Sequence, residues 1–151
     1  MRSVDEGWLA GHFEALVLAV PAPQAVRLLE PLEPSLAALA GRVRMRGSWA
    51  LMLRFAAPLE LPFDTAFVDY GPLRWIARDN GKPGRGGNET WLLHANGRWS
   101  EVHIDEDVRT VAELLLAAFV ELGGAPPAAW SAHRWPCADT EAARAAHRAV
   151  R

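Results

Sequence analysis

The chain of 151 residues contains one cysteine, Cys137, one lysine, Lys82, and one tyrosine, Tyr70. A lone cysteine excludes an internal disulfide framework and a cysteine-based zinc site, and it suits a reducing compartment. Long apolar runs are missing as well. The strongest, FEALVLAV at residues 13–20, falls far short of the ~20 residues that cross a bilayer. The opening MRSVDEGWLAGH has no basic region followed by an apolar core. A cytoplasmic protein without a membrane partner is expected. Neither sign of charge prevails: 16 Lys and Arg against 18 Asp and Glu leave a net charge of -2. That balance supplies no field to attract nucleic acid, and none is expected as a partner.

Tryptophan, by contrast, is plentiful: seven residues, spread from Trp8 to Trp135. Indoles mostly serve packing, with a polar N–H that seeks a partner, and a minority stack on ligands. FEALVLAV, ended by Pro21, reads as a buried strand. APQAVRLLEPL and PSLAALAGR read as two short helices joined near Pro31 and Pro34. Strand-length segments follow at 43–55, FDTAFVDY, PLRWIARD and ETWLLHA, each bounded by Pro or Gly. VRTVAELLLAAFVELGG places Val111, Leu114, Leu115, Ala118, Phe119 and Leu122 on one stripe, the mark of a helix covering a sheet. AWSAHRW returns as another strand, and DTEAARAAHRAVR reads as a helix capped by Asp139 or Thr140, with a solvated face. The sum is a single α+β domain, residues 1–151, with a mixed, largely antiparallel sheet of about five to six strands covered by helices.

The loop DNGKPGRGG between two strands invites a phosphate-binding reading. A P-loop needs Lys followed by Ser or Thr, whereas Lys82 is followed by Pro83, which also removes a backbone donor. No G-x-G-x-x-G follows a strand either, so a dinucleotide fingerprint is absent. Asn96-Gly97 reads as a two-residue hairpin turn that sets His94, Trp99, Glu101 and His103 on one sheet face. The two histidines would then stand ~10 Å apart, too far to share a zinc ion, and no metal site is expected. Ser100, His103 and Asp105 are the residue types of a hydrolase triad, but no G-x-S-x-G elbow accompanies them and they read as surface.

Five blocks, LVLAVPAPQAVRLL, RGSWALMLRFAAPL, LRWIARDNGKPGR, TWLLHANGRWSEVHID and AHRWPCA, are similar in order and spacing to the latter half of renalase-like FAD-dependent oxidoreductases. These belong to the wider amine-oxidase-like flavoprotein group, and the resemblance covers roughly residues 8–138. It implies a substrate domain, with residues 1–30 matching the segment returning to a flavin domain. Residues 31–136 would form its core, and 137–151 a divergent helical tail.

Several roles are implied by the same resemblance. Val20, Pro21 and Pro23 would pass near the cofactor. Trp75, Asp79, Asn80, Lys82, Arg85 and His94 would serve substrate or another ligand. His133, Arg134 and Trp135 match the last sheet strand. In the family, hydride would pass from a reduced nitrogen-containing or nicotinamide-type substrate to FAD, then to oxygen. The Gly-rich turn that grips FAD has no counterpart here, so FAD binding by this chain alone is not expected. A separately encoded FAD-binding chain or a homodimer is the partner implied, and catalytic residues and competence stay open. The reading from a different class is a non-enzymatic binding or interaction domain that keeps the fold without redox activity.

Overall fold

The computed structural model describes residues 2–3, 7–8 and 11–141. It divides into two compact units, Met1–Gly41 and Arg42–Arg151. In the first, a two-stranded antiparallel ladder of β1 (Arg2–Ser3) and β2 (Gly7–Trp8) precedes helices α1 (Ala22–Leu29) and α2 (Pro34–Ala40). Both helices carry Pro within their first two residues, where the missing N–H costs nothing. The strand expected at 13–20 does not form. Phe13 and Val17 are 68% and 87% exposed, and no strand among the described residues pairs with the segment. Hydrophobicity without a ladder partner leaves backbone donors to water rather than to a sheet.

The second unit holds a five-stranded antiparallel sheet in the order β4-β5-β6-β3-β7. Its strands are β3 (Met45–Arg54), β4 (Thr65–Phe67), β5 (Leu73–Arg78), β6 (Thr90–Ala95) and β7 (Ala129–Thr140). Together with the helices α3 (Gly97–Val102) and α4 (Val108–Glu121), this is the α+β architecture expected from the pattern of the chain. The period-2 alternation of side chains decides which face is core. Trp49, Leu51 and Leu53 of β3 point to the same side as Trp91, Leu93 and Ala95 of β6, and all are buried. Val111, Ala112, Leu115 and Phe119 of α4 complete this layer, with Phe119 set 5.8 Å from Trp91 and 6.3 Å from Phe55 between ring centroids. Each fully buried large apolar side chain contributes roughly 1.5–3 kcal/mol. The opposite face of the sheet carries Ser48, Ala50 and Met52, Thr90, Leu92 and His94, Trp75 and Ala77.

Three local expectations are overturned in this unit. Asn96-Gly97 starts α3 instead of turning a hairpin: the Asn96 side chain accepts from the N–H groups of Arg98 (2.9 Å) and Trp99 (3.4 Å). The reason is topological as well as local, because β6 is already paired with β3 on one edge and β5 on the other. A hairpin partner has no edge to join. Ser100 is not surface but fully buried, its Oγ accepting from Trp49 N at 3.2 Å, while Asp105 is exposed. Asp139 and Thr140 belong to β7, opposite Arg46 and Met45, rather than capping a helix, and the tail beyond residue 141 lies outside the described residues.

The end of α4 is packed tightly enough to test. A Cβ on Gly124 would meet Phe119 Cε1 at 2.3 Å and the Phe119 carbonyl oxygen at 2.8 Å. Neither atom can retreat, since the Phe119 ring is fully buried. Gly124→Ala is expected to destabilise by about 1–3 kcal/mol through overpacking. Thermal unfolding of the two proteins would show it as a loss of several degrees, and an unchanged midpoint would contradict the packing described here.

Candidate functional site

Two residues at the ends of a long loop fix everything between β5 and β6. Arg78 closes β5 and Glu89 immediately precedes β6, and both side chains turn inward. Glu89 is only 6% exposed, yet its carboxylate is satisfied on every side. Trp91 Nε1 donates to it at 2.8 Å, Asn80 Nδ2 at 3.1 Å and Leu59 N at 3.4 Å. The Arg78 guanidinium lies over the Trp91 ring at 5.1 Å, donates to the Leu59 carbonyl at 2.7 Å, and brings Nε within 3.3 Å of Glu89 and 3.2 Å of Asp64. Those two Nε contacts lack hydrogen-bond alignment, so they act through charge. Burial pushes the Glu89 carboxyl up, but the three donors and the Arg78 charge outweigh it and hold it below its usual value.

The residues implied as ligand-binding separate into groups. Asn80 is structural: besides bonding Glu89, its Oδ1 accepts from Thr90 N at 3.1 Å, closing the loop on itself. Asp79 receives Lys82 Nζ and Arg85 Nη1, each at 2.6 Å, and these bonds keep its carboxyl deprotonated below the usual range despite some desolvation. Much of the charge of Lys82 and Arg85 is therefore neutralised within the loop. Gly84 and Gly87, at φ +76° and +104°, supply the left-handed backbone that lets the loop reverse. Asp79 and Arg85 border a shallow depression of about 480 Å³ on the open face beside Met52, Leu92 and Trp130.

Trp75 and His94 lie elsewhere, opposite one another across β5 and β6 with ring centroids 5.4 Å apart. Lys82 Nζ stands 6.0 Å from the Trp75 centroid. Desolvation first, and the Lys82 charge second, lower the basicity of the His94 imidazole below its usual value. The pair lines an open groove of about 930 Å³ that runs across the open face to β7. Its far wall is made by Trp135, whose ring centroid lies 4.3 Å from that of His133 with the ring planes at 66°, and by Cys137.

The β7 side has an irregular ladder for a readable reason. Trp135 faces Ser48 and Asp139 faces Arg46, so Pro136, Cys137 and Ala138 together oppose Gly47 alone. Pro136 cannot donate to a ladder, which suits a bulge on an edge strand. Gly47 leaves room for this chain and for Ile104, whose Cδ1 would lie 2.6 Å from any Cβ there. The bulge brings Cys137 to the groove.

No protein-family model matches the chain. The fold, however, is found in a crystal structure described as "Putative protoporphyrinogen oxidase from Exiguobacterium sp. 255-15", with a TM-score of 0.63 at 13% sequence identity. The two share a fold. The match covers 80% of this chain and 28% of that one, so the likeness is to a part of a longer protein.

An FAD pyrophosphate needs free N–H groups at a helix start, and at α1, α3 and α4 some of these groups are missing or already engaged. At α1, Pro23 has no N–H and Gln24 and Ala25 donate to Pro21 O at 2.9 and 3.0 Å. α2 starts without a side-chain cap, the Glu33 carboxylate accepting instead from the Ser35 hydroxyl at 2.7 Å. Asn96 and Asp107 occupy the starts of α3 and α4 with their own side chains. Val20, Pro21 and Pro23 lie at the entrance to α1, with Pro21 at its N-cap. Among the described residues no cluster of three His, Cys, Asp or Glu side chains gathers to hold a metal. No described helix is long and apolar enough to cross a membrane.

Sequence reasoning missed Glu89, Arg74 and Arg98. The signal for Glu89 was an Arg at one end of the loop and a Glu at the other, flanking two apolar strands. Because the folded state holds both Glu89 and Asp79 below their usual pKa, their stabilisation is complete above the unfolded-state values and is lost as pH falls through the folded ones. Glu89→Gln is expected to cost about 1–3 kcal/mol at neutral pH. Its unfolding free energy should fall less steeply than wild type on acidification, as read by denaturant titration from pH 6 down to pH 3. Equal slopes would remove Glu89 from this role. Lys82→Ala is expected to raise the His94 pKa, since a repelling cation is withdrawn, and the imidazole proton shifts in an NMR titration would report it.

Proposed function

We propose that this chain is the substrate-domain portion of a renalase-like, FAD-dependent oxidoreductase of the amine-oxidase-like flavoprotein group. The observation that carries the reading is a sheet with one face sealed by α4 and the other furnished with an aromatic groove. Two further lines support it: the five collinear sequence blocks, and the fold held in common with a chain described as an oxidase. Fold likeness alone does not fix activity, and the blocks give it direction.

In this reading the flavin is gripped by an element outside these residues, on a separately encoded chain or another part of a longer protein, with a homodimer as the alternative arrangement. The cofactor supplies the redox chemistry, and this chain positions the reactant and screens it from water. Trp75 and His94 would hold the substrate, and Lys82 would stand at the rim. Asp79, Asn80 and Arg85 would keep the loop in place rather than bind. The side chains of Asn96 and Asp107, which occupy the starts of α3 and α4, favour a second reading, a binding domain that retains the fold without redox activity.

Co-expression separates the two. The chain purified alone is expected to be colourless and to leave FAD fluorescence unchanged on titration. Co-expressed with the product of a neighbouring reading frame carrying G-x-G-x-x-G, it is expected to yield a yellow complex. Tight FAD binding by the chain alone would overturn the division of labour proposed here, and failure of every such pairing to give a flavin complex would favour the binding domain.

A further inference from the structure

We propose that the groove on the open sheet face takes a flat aromatic molecule bearing carboxylate groups; this names the ligand class of the surface already read as substrate-binding, and it rests on that reading. Charge is the first ground. Arg46, Arg74 and Arg98 line the groove against a single carboxylate, Asp139. Arg46 is engaged, by Glu141 at 2.6 Å and Glu101 at 3.5 Å. Arg74 and Arg98 meet no carboxylate among the described residues, in a chain whose net charge is -2. Uncompensated guanidinium forks are suited to planar, bidentate recognition of carboxylates.

The local fold brings those two arginines to one end. Leu73 faces Ala95 and Trp75 faces His94, so Arg74 is the unpaired residue of a bulge at the start of β5. Arg98 sits in the first turn of α3, directly after β6. The Asn96 N–H donates to the Pro72 carbonyl at 2.7 Å and ties the two segments together.

Shape is the second ground. The register runs Trp75, His94, Ala50, His133 across four adjacent strands, a span of about 14 Å at ordinary strand spacing. Trp75 and His94 line the groove at one end and Trp135, backed by His133, at the other, with Gly47 and Ser48 between them. A low floor between two aromatic walls accepts a flat ring system and offers faces on which it can stack. The volume, about 930 Å³, lies at the upper end of the range for small-molecule sites.

Equilibrium dialysis of the whole chain against naphthalene-2,6-dicarboxylate, with no FAD present, tests the assignment. Saturable binding is expected, weakened about tenfold or more by Arg74→Gln and by Arg98→Gln. Arg109→Gln, on the α4 surface outside the groove, is expected to change nothing. Arg74→Lys and Arg98→Lys keep the charge without the planar fork and should fall between. Thermal unfolding checks that the variants fold, as both arginines are exposed. Absence of saturable binding, or affinity indifferent to both Gln variants, overturns the proposal. Equal affinity for the neutral naphthalene-2,6-dimethanol sinks the role of charge, and equal affinity for cyclohexane-1,4-dicarboxylate sinks that of the aromatic walls. Dicarboxylate binding that persists while no flavin complex can be made leaves the groove standing and removes only the oxidoreductase reading. The converse removes only the groove.

Discussion

A buried carboxylate that cannot reach water must find donors, and Glu89 finds them in three separate parts of the chain. Leu59 comes from the connection after β3, Asn80 from the loop after β5, and Trp91 from β6 itself. Arg78 adds the countercharge and drapes its guanidinium over the same indole. Ionising such a group in an apolar surround would be prohibitive alone, so the donors and the fold require one another. The arrangement pins both ends of a Gly-rich loop whose interior could otherwise wander. Pinning matters because Lys82 reaches from that loop to the rim of Trp75, and through it to the protonation of His94.

The sheet separates two duties by alternation. Odd-numbered positions of β3, from Trp49 to Leu53, build a core that is nearly dry, while Ser48, Ala50 and Met52 face the other way. Any side chain placed on the open face is thus held by a backbone that the core has already fixed. That is the physical advantage of a site built on strands rather than loops: Trp75 and His94 inherit their spacing from the ladder. The arginines at the groove's end depend on two interruptions of regularity, a bulge and a helix start, where side chains leave the pleat.

Much of this was legible beforehand. The α4 stripe, except that Leu114 is exposed and Ala112 takes a place in the core, and the strands around Trp49, Trp75 and Trp91 follow from periodicity, because burial on one side leaves a repeating mark in the sequence. FEALVLAV carried the mark of a buried strand without becoming one, since composition cannot announce a missing ladder partner. Asn96-Gly97 suits a tight turn and a helix start alike, and only the occupancy of both edges of β6 decides between them. Trp75 and His94 were picked by resemblance and meet across the sheet; Asp79, Lys82 and Arg85 were picked too, but they meet mainly each other. Arg74 was invisible because a bulge is a property of two strands together, not of either one.

The break in the outer ladder also bears on how chains meet in crowded solution. Among the described residues the sheet has two unpaired borders, and both are poor templates for another strand: β4 is three residues long, and β7 is interrupted after Trp135 by a proline-bearing bulge. Open edges of aromatic-rich sheets otherwise invite endless strand addition. The same Pro136 that helps shape one wall of the groove thereby acts as a guard against fibrous aggregation.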